Sequence, residues 1–254
     1  MAGMEEIVAD LAAQHAELGG MLADLDEAGW RTPSRCEGWT VADVVLHLAQ
    51  TDELAGASMA GTFDLGARRL ADGLEPTASV DEGADRMVAH ERGASGADVR
   101  RRWQDAADHI RAALAVSDPH RRVRWVAGEL STRTLATTRL AEAWTHTGDV
   151  AAALGVELAP TDRLQAIARL AWRTLPYAFA RAGRELAGPV AFELRAPGGG
   201  RWDLRADAEP TTTIRGDALD LCLVAGRRAE SAATSLHGTG PDAGAVLELV
   251  RTYA

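Results

Sequence analysis

The chain contains neither lysine nor asparagine, and cysteine occurs only at Cys36 and Cys222 among its 254 residues. Two thiols that far apart, without the short spacing of a metal knuckle, exclude a disulfide framework and point to a reducing compartment. Positive charge is short as well. Against 27 arginines stand 37 acidic residues, for a net charge of −10. No basic surplus is left to neutralise phosphates, which argues against a nucleic-acid partner. Every apolar stretch is broken by Arg, Asp or Glu well before 18 residues, the length a membrane span needs. The N-terminus has no basic segment followed by an apolar one, so no signal peptide is read there and a cytoplasmic protein is expected. With all basic residues arginine, and with abundant Ala and Gly, the composition fits a GC-rich genome. Arginine at any one position is then poor ground for inferring an anion site.

What is present is a chain with 46% hydrophobic residues, long enough to bury a core without staples. Residues 4–26 place Ile7, Leu11, Leu18, Leu22 and Leu25 at helical spacing. A turn-rich loop with two tryptophans follows, then Thr40 with Asp43 three residues on, the pattern of a capping box before a helix over about 41–60. Further helices are expected over 80–92, 96–116 and 132–154, the last stopped by Gly155. The segment SDPHRRVRWVAGELS reads as loop. Four or five helices joined by short loops predict a bundle. After Pro160 a helix over 161–182, kinked at Pro176, precedes a change of period to two. PVAFELRA, GRWDLRAD and TTTIRG predict a three-stranded sheet, and helices near 216–228 and 240–252 close the chain. The fold class expected is mainly α with a small α+β part, divided as a bundle over 1–157 and an α+β domain over 158–254.

Chemistry concentrates in RLAEAWTHTGDV, residues 139–150. Glu142 and His146 are one helical turn apart and share a face, so a carboxylate oxygen and an imidazole nitrogen can converge on one ion. His47, in VADVVLHLAQ on another bundle helix, is the best candidate for a third ligand. Two neutral imidazoles and a carboxylate suit zinc with a position left open. Iron(II), nickel and cobalt stay compatible. Spacing alone equally allows a plain hydrogen-bonded Glu–His pair.

Three stretches resemble the mycothiol-dependent maleylpyruvate isomerase family: CEGWTVADVVLHLAQTD, RLAEAWTHTGDVAAALG and GDALDLCLVAGRRA. The resemblance implies a DinB-like metal-binding four-helix bundle followed by a small α+β domain. It maps the metal ligands onto His47, Glu142 and His146. It also implies mycothiol, a low-molecular-weight thiol, as cofactor or co-substrate, used for cis–trans isomerisation or thiol transfer on a small unsaturated or electrophilic acid. In that family a C-terminal arginine faces the site, which makes Arg227 and Arg228 candidates to grip a carboxylate; solvated surface is the alternative for both. A thiol-independent lyase, cyclase or hydrolase, or a non-enzymatic metal-binding protein, are the competing readings.

Among supporting residues, Asp149 can orient the His146 ring or be a solvated carboxylate. Arg139 can reach an acidic substrate or pair with Glu142. Gln50 reads as polar surface, and Trp39 and Trp144 as core rather than cofactor stackers. Cys36 reads as a structural thiol, with no histidine base placed beside it by spacing.

Overall fold

The computed structural model describes residues 3–75, 77–126 and 128–252. Over the first of its two units, Met1–Leu158, side-chain caps set where most helices begin. Helix α1 (Met4–Met21) ends earlier than its apolar spacing suggests, and a short α2 (Glu27–Trp30) follows, capped by Asp26 on the Gly29 N–H at 2.8 Å. The α3 helix (Val41–Met59) starts with the expected capping box: Asp43 N–H donates to Thr40, and Thr40 N–H donates to Asp43 at 2.8 Å. A short α4 (Phe63–Leu70) forms in the Gly-punctuated stretch. Ser79, Ser95 and Ser131 then cap α5 (Val80–Glu91), α6 (Gly96–Ala115) and α7 (Thr132–Leu154). Gly155 closes α7 at φ 67°, a left-handed conformation that costs glycine nothing.

The segment expected as loop before α7 is instead an antiparallel hairpin, β1 (Arg122–Trp125) against β2 (Gly128–Ser131). Its strands are four residues each and bury only Val123, too short an alternation to register as period two. Helices α1, α3, α6 and α7 pack as a four-helix bundle, with α3 against α6 and α7, and α1 against α6 and α7. Leu11, Val44, Leu48, Ile110, Leu114, Leu135 and Leu140 are essentially inaccessible in its core.

In the second unit, Ala159–Ala254, the expected single helix over 161–182 is two: α8 (Leu164–Arg173) and α9 (Leu175–Arg181). Pro176 sits in the first turn of α9, where its missing N–H is no loss, so the chain restarts there rather than kinking. The sheet has four strands rather than three, in the order β4 (Arg201–Leu204), β3 (Val190–Arg195), β5 (Thr212–Asp217), β6 (His237–Thr239). β3 and β5 are parallel and the outer pairs antiparallel. The added strand, HGT, is three residues with no apolar alternation, so nothing in its pattern announces it. Helices α10 (Ala218–Ala225) and α11 (Ala243–Leu249) complete the unit. The protein is thus mainly α with a small α+β part. No helix among the described residues is long and apolar enough to cross a membrane.

One core residue makes the bundle sensitive to acid. His15 is 5% exposed and accepts a 2.7 Å hydrogen bond at Nδ1 from Arg111. Burial pushes its pKa down from 6.5 to about 4, with Arg111 and Arg139 adding to the shift and Asp52 opposing it. Between those values the unfolded chain holds more protons than the folded one, so stability is full above pH 6.5 and falls as pH drops toward 4. At 1.36 kcal/mol per pKa unit, His15 accounts for about 3 kcal/mol across that window. Urea unfolding at a series of pH values should show the parent losing about that much more than His15→Gln.

Candidate metal centre

His47 on α3 meets Glu142 and His146 on α7, and one ligand atom from each lies within 4.8 Å of the others. Glu142 Oε2 stands 3.6 Å from His47 Nε2 and 3.6 Å from His146 Nε2. That separation is longer than a hydrogen bond. It is close to the spacing of donors that share a cation: two atoms about 2.1 Å from one zinc at a tetrahedral angle lie about 3.4 Å apart. His47 Nδ1 is buried and makes no hydrogen bond, while Nε2 is the nitrogen turned toward Glu142. The donor set and its spacing fit a divalent ion held through Nε2 of each ring. Each imidazole side chain is 10% exposed and the Glu142 side chain 26%, so the cluster opens to solvent on the carboxylate side.

The charges are divided unevenly. Burial is the main influence on His47 and lowers its pKa despite Glu142, which keeps the ring neutral as a ligand must be. Burial also opposes charge on His146, but Asp149, Cys36 and Glu142 outweigh it and hold this imidazole well above its ordinary range. Glu142 is likewise held well below the usual carboxylate range, because contacts with His146 and His47 overcome its burial.

Asp149 is fully buried, and its Oδ2 accepts from His146 Nδ1 at 3.0 Å. The same oxygen accepts from the Cys36 thiol at 3.3 Å. Cys36 therefore does have a histidine beside it, His146, on a helix far along the chain from the loop that carries the thiol. Trp39, from that same loop, is 9% exposed and lies against both rings, with centroids 5.1 Å from His47 and 6.5 Å from His146. Its indole N–H donates to Asp85 of α5 at 2.8 Å, which fixes the ring plane. It is core, as expected, and also one wall of the cluster. Trp144 is only partly buried. Gln50 is a correction: it is inaccessible, and its amide donates to Met87 O and Glu91, tying α3 to α5.

Arg139 is a second correction. It reaches neither solvent nor Glu142, being 2% exposed and paired with Asp52 of α3 at 2.9 Å. Helix spacing reveals partners on the same helix, and this one is on another. The second unit holds Arg227 and Arg228, just past α10. Arg227 is exposed, takes φ 61° and donates to Glu248 O at 3.5 Å, while Arg228 donates to Gly226 O at 2.9 Å.

Comparison with known proteins adds three findings. The family model described as mycothiol maleylpyruvate isomerase N-terminal domain matches residues 11–151. Two uncharacterized proteins of Mycobacterium tuberculosis, from strains CDC 1551 / Oshkosh and H37Rv, are each 30% identical over 255 residues, covering 100% of this chain and 97% of theirs. The crystal structure of the mycothiol-dependent maleylpyruvate isomerase is similar in fold, at TM-score 0.62 and 16% identity, over 95% of this chain and 96% of that one. That of its histidine-to-alanine mutant gives TM-score 0.61 at 17% identity, with the same coverage.

Proposed function

Because the chain belongs to the mycothiol maleylpyruvate isomerase family, we propose that His47, Glu142 and His146 hold a divalent metal ion, zinc first among the candidates. The metal would serve a thiol-dependent isomerase or thiol transferase acting on an unsaturated or electrophilic acid. The observation that carries this reading is the single carboxylate oxygen set 3.6 Å from each of two buried imidazoles. Such an ion stabilises a thiolate over a thiol, and the thiolate of mycothiol supplies reversible addition to a conjugated double bond or stable transfer to an electrophile.

The chain's own residues prepare that chemistry. Asp149 accepts a hydrogen bond from His146 Nδ1, which turns Nε2 toward Glu142 and fixes the ring's rotation. By donating to the same Asp149 oxygen, the Cys36 thiol helps hold that carboxylate in place. Trp39 lies across both imidazoles and keeps water from that side. The more exposed Glu142 edge is left for a thiol to approach. Cys36 is a structural thiol in this scheme, its S–H committed to the Asp149 carboxylate.

Calorimetric titration of the zinc-loaded protein with mycothiol, paired with an assay of maleylpyruvate isomerisation, tests the proposal. Saturable binding and turnover only with thiol present are expected. Turnover without thiol, or no mycothiol binding by the metal-loaded protein, would remove the thiol from the function.

A further inference from the structure

The side chain beneath the ligand cluster is Arg139, and its partners lie on the other ligand helix. Its Nε donates to Asp52 Oδ1 at 2.9 Å and its Nη2 donates to Thr51 Oγ1 at 2.9 Å. Thr51 in turn donates to the backbone carbonyl of His47 at 2.9 Å. A continuous run of hydrogen bonds thus leads from α7, at a position one turn before Glu142, to the backbone of His47 on α3. Both charged side chains are 2% exposed. The Arg139 guanidinium also sits 5.9 Å from the centre of the Trp125 ring, which closes it off beside the hairpin.

We propose that Arg139, Asp52 and Thr51 form a strut that sets the register of α3 against α7, and so brings the His47 imidazole to the Glu142–His146 pair. The inference rests on the metal reading above and assigns these residues a positioning role, not contact with substrate or ion.

Three features favour positioning over mere cohesion. A buried ion pair is a poor source of net stability, because two charges must be stripped of water to make it, and apolar side chains of similar size commonly serve the fold as well or better. What this contact adds is direction: the planar guanidinium donates to Asp52 through Nε and to Thr51 through Nη2, a rigid fork that meets both acceptors in few geometries. Leucine against leucine tolerates a slide along the helix axis that this fork does not. The pair is also incomplete, since Asp52 Oδ2 is buried without a hydrogen bond in the protein and His15 Nε2 stands 3.9 Å away. An unsatisfied buried oxygen subtracts from whatever stability the pair supplies. Finally, the strut is one helical turn from the ligands on both helices, so a shift there moves ligand atoms directly.

The discriminating variant is the double replacement Asp52→Leu with Arg139→Met, which removes both charges and leaves none uncompensated. Cobalt(II) serves as the probe, because its visible d–d absorption reports ligand geometry as well as affinity. Thermal unfolding by circular dichroism reads the fold separately. The double variant should fold with a melting temperature at or above the parent's, yet bind cobalt about tenfold or more weakly, as loss of outer-sphere support commonly does. Its d–d bands should be shifted or weakened as well. Thr51→Val, which cuts the strut without touching the ion pair, should move affinity in the same direction by a smaller factor. A folded double variant with the parent's cobalt affinity and spectrum would overturn the strut while leaving the metal site standing. A parent that takes up no cobalt would instead overturn the metal reading, and the strut's role with it.

Discussion

Replacing His47 by alanine should take bound metal from about one equivalent per chain to nearly none, because on the proposed reading a three-ligand site reduced to two loses most of its hold on the ion. Of the three proposed ligands only His47 is on α3, so the variant also leaves Glu142 and His146 as an ordinary one-turn pair on a single helix. Metal content by elemental analysis, on protein purified without chelator, checks the outcome, with circular dichroism to show that the bundle persists. Thiol-dependent turnover should fall to background in the same preparation. Asp149→Asn supplies the graded comparison. It keeps all three ligands but weakens the acceptor that orients His146, for which a loss of about ten- to a hundredfold in metal affinity is expected. Equal metal in the parent and in His47→Ala would take His47 out of the site.

The second large effect is on stability. Trp103→Ala should lower the unfolding free energy by about 4 kcal/mol, in the range for emptying an aromatic site in a packed core. The indole is 1% exposed, faces Gly19 of α1 closely enough that a Cβ there would lie 3.9 Å from the ring, and meets His15 edge-on at 5.8 Å. It fills the space between α1 and α6, and no neighbour can fill that volume by a rotamer change alone. Its Nε1–H is buried without an acceptor, so Trp103→Phe gives up area but also removes an unsatisfied donor, and should recover most of the loss. Exposed Arg101, paired only with Asp98 one turn away, gives the contrast: Arg101→Ala should stay within about 0.5 kcal/mol of the parent. Denaturant unfolding of the three variants orders them directly.

These sites differ in how openly the chain announces them. Glu142 and His146 were legible because a helical turn is a local rule, and the α3 start because Thr40 and Asp43 meet within four residues. The long strands of the second unit showed themselves by alternation, whereas β6 and the β1–β2 hairpin were too short to carry a period. His47 was read from its place on a second bundle helix, and the family resemblance pointed to the same residue. Contacts across the bundle were not legible at all. Asp52 lies 87 residues from Arg139, Asp85 lies 46 from Trp39, and Cys36 lies 113 from Asp149. Each pairing exists only because two helices, or a helix and a loop, pack at one register, and no local pattern encodes that register. Arg139 shows the consequence most clearly, since the neighbour its own helix suggested was the wrong one.

The wide separation of the two ligand helices along the chain also dictates an order of events during synthesis. A nascent polypeptide that has left the ribosome only as far as α6 carries one imidazole of the cluster, with α7 still to come. Cation capture cannot nucleate such a chain. On the metal reading proposed above, the three-ligand set is complete only after α7 has emerged, so ion loading would be a late step, with α1, α3 and α6 able to pack on their apolar faces beforehand.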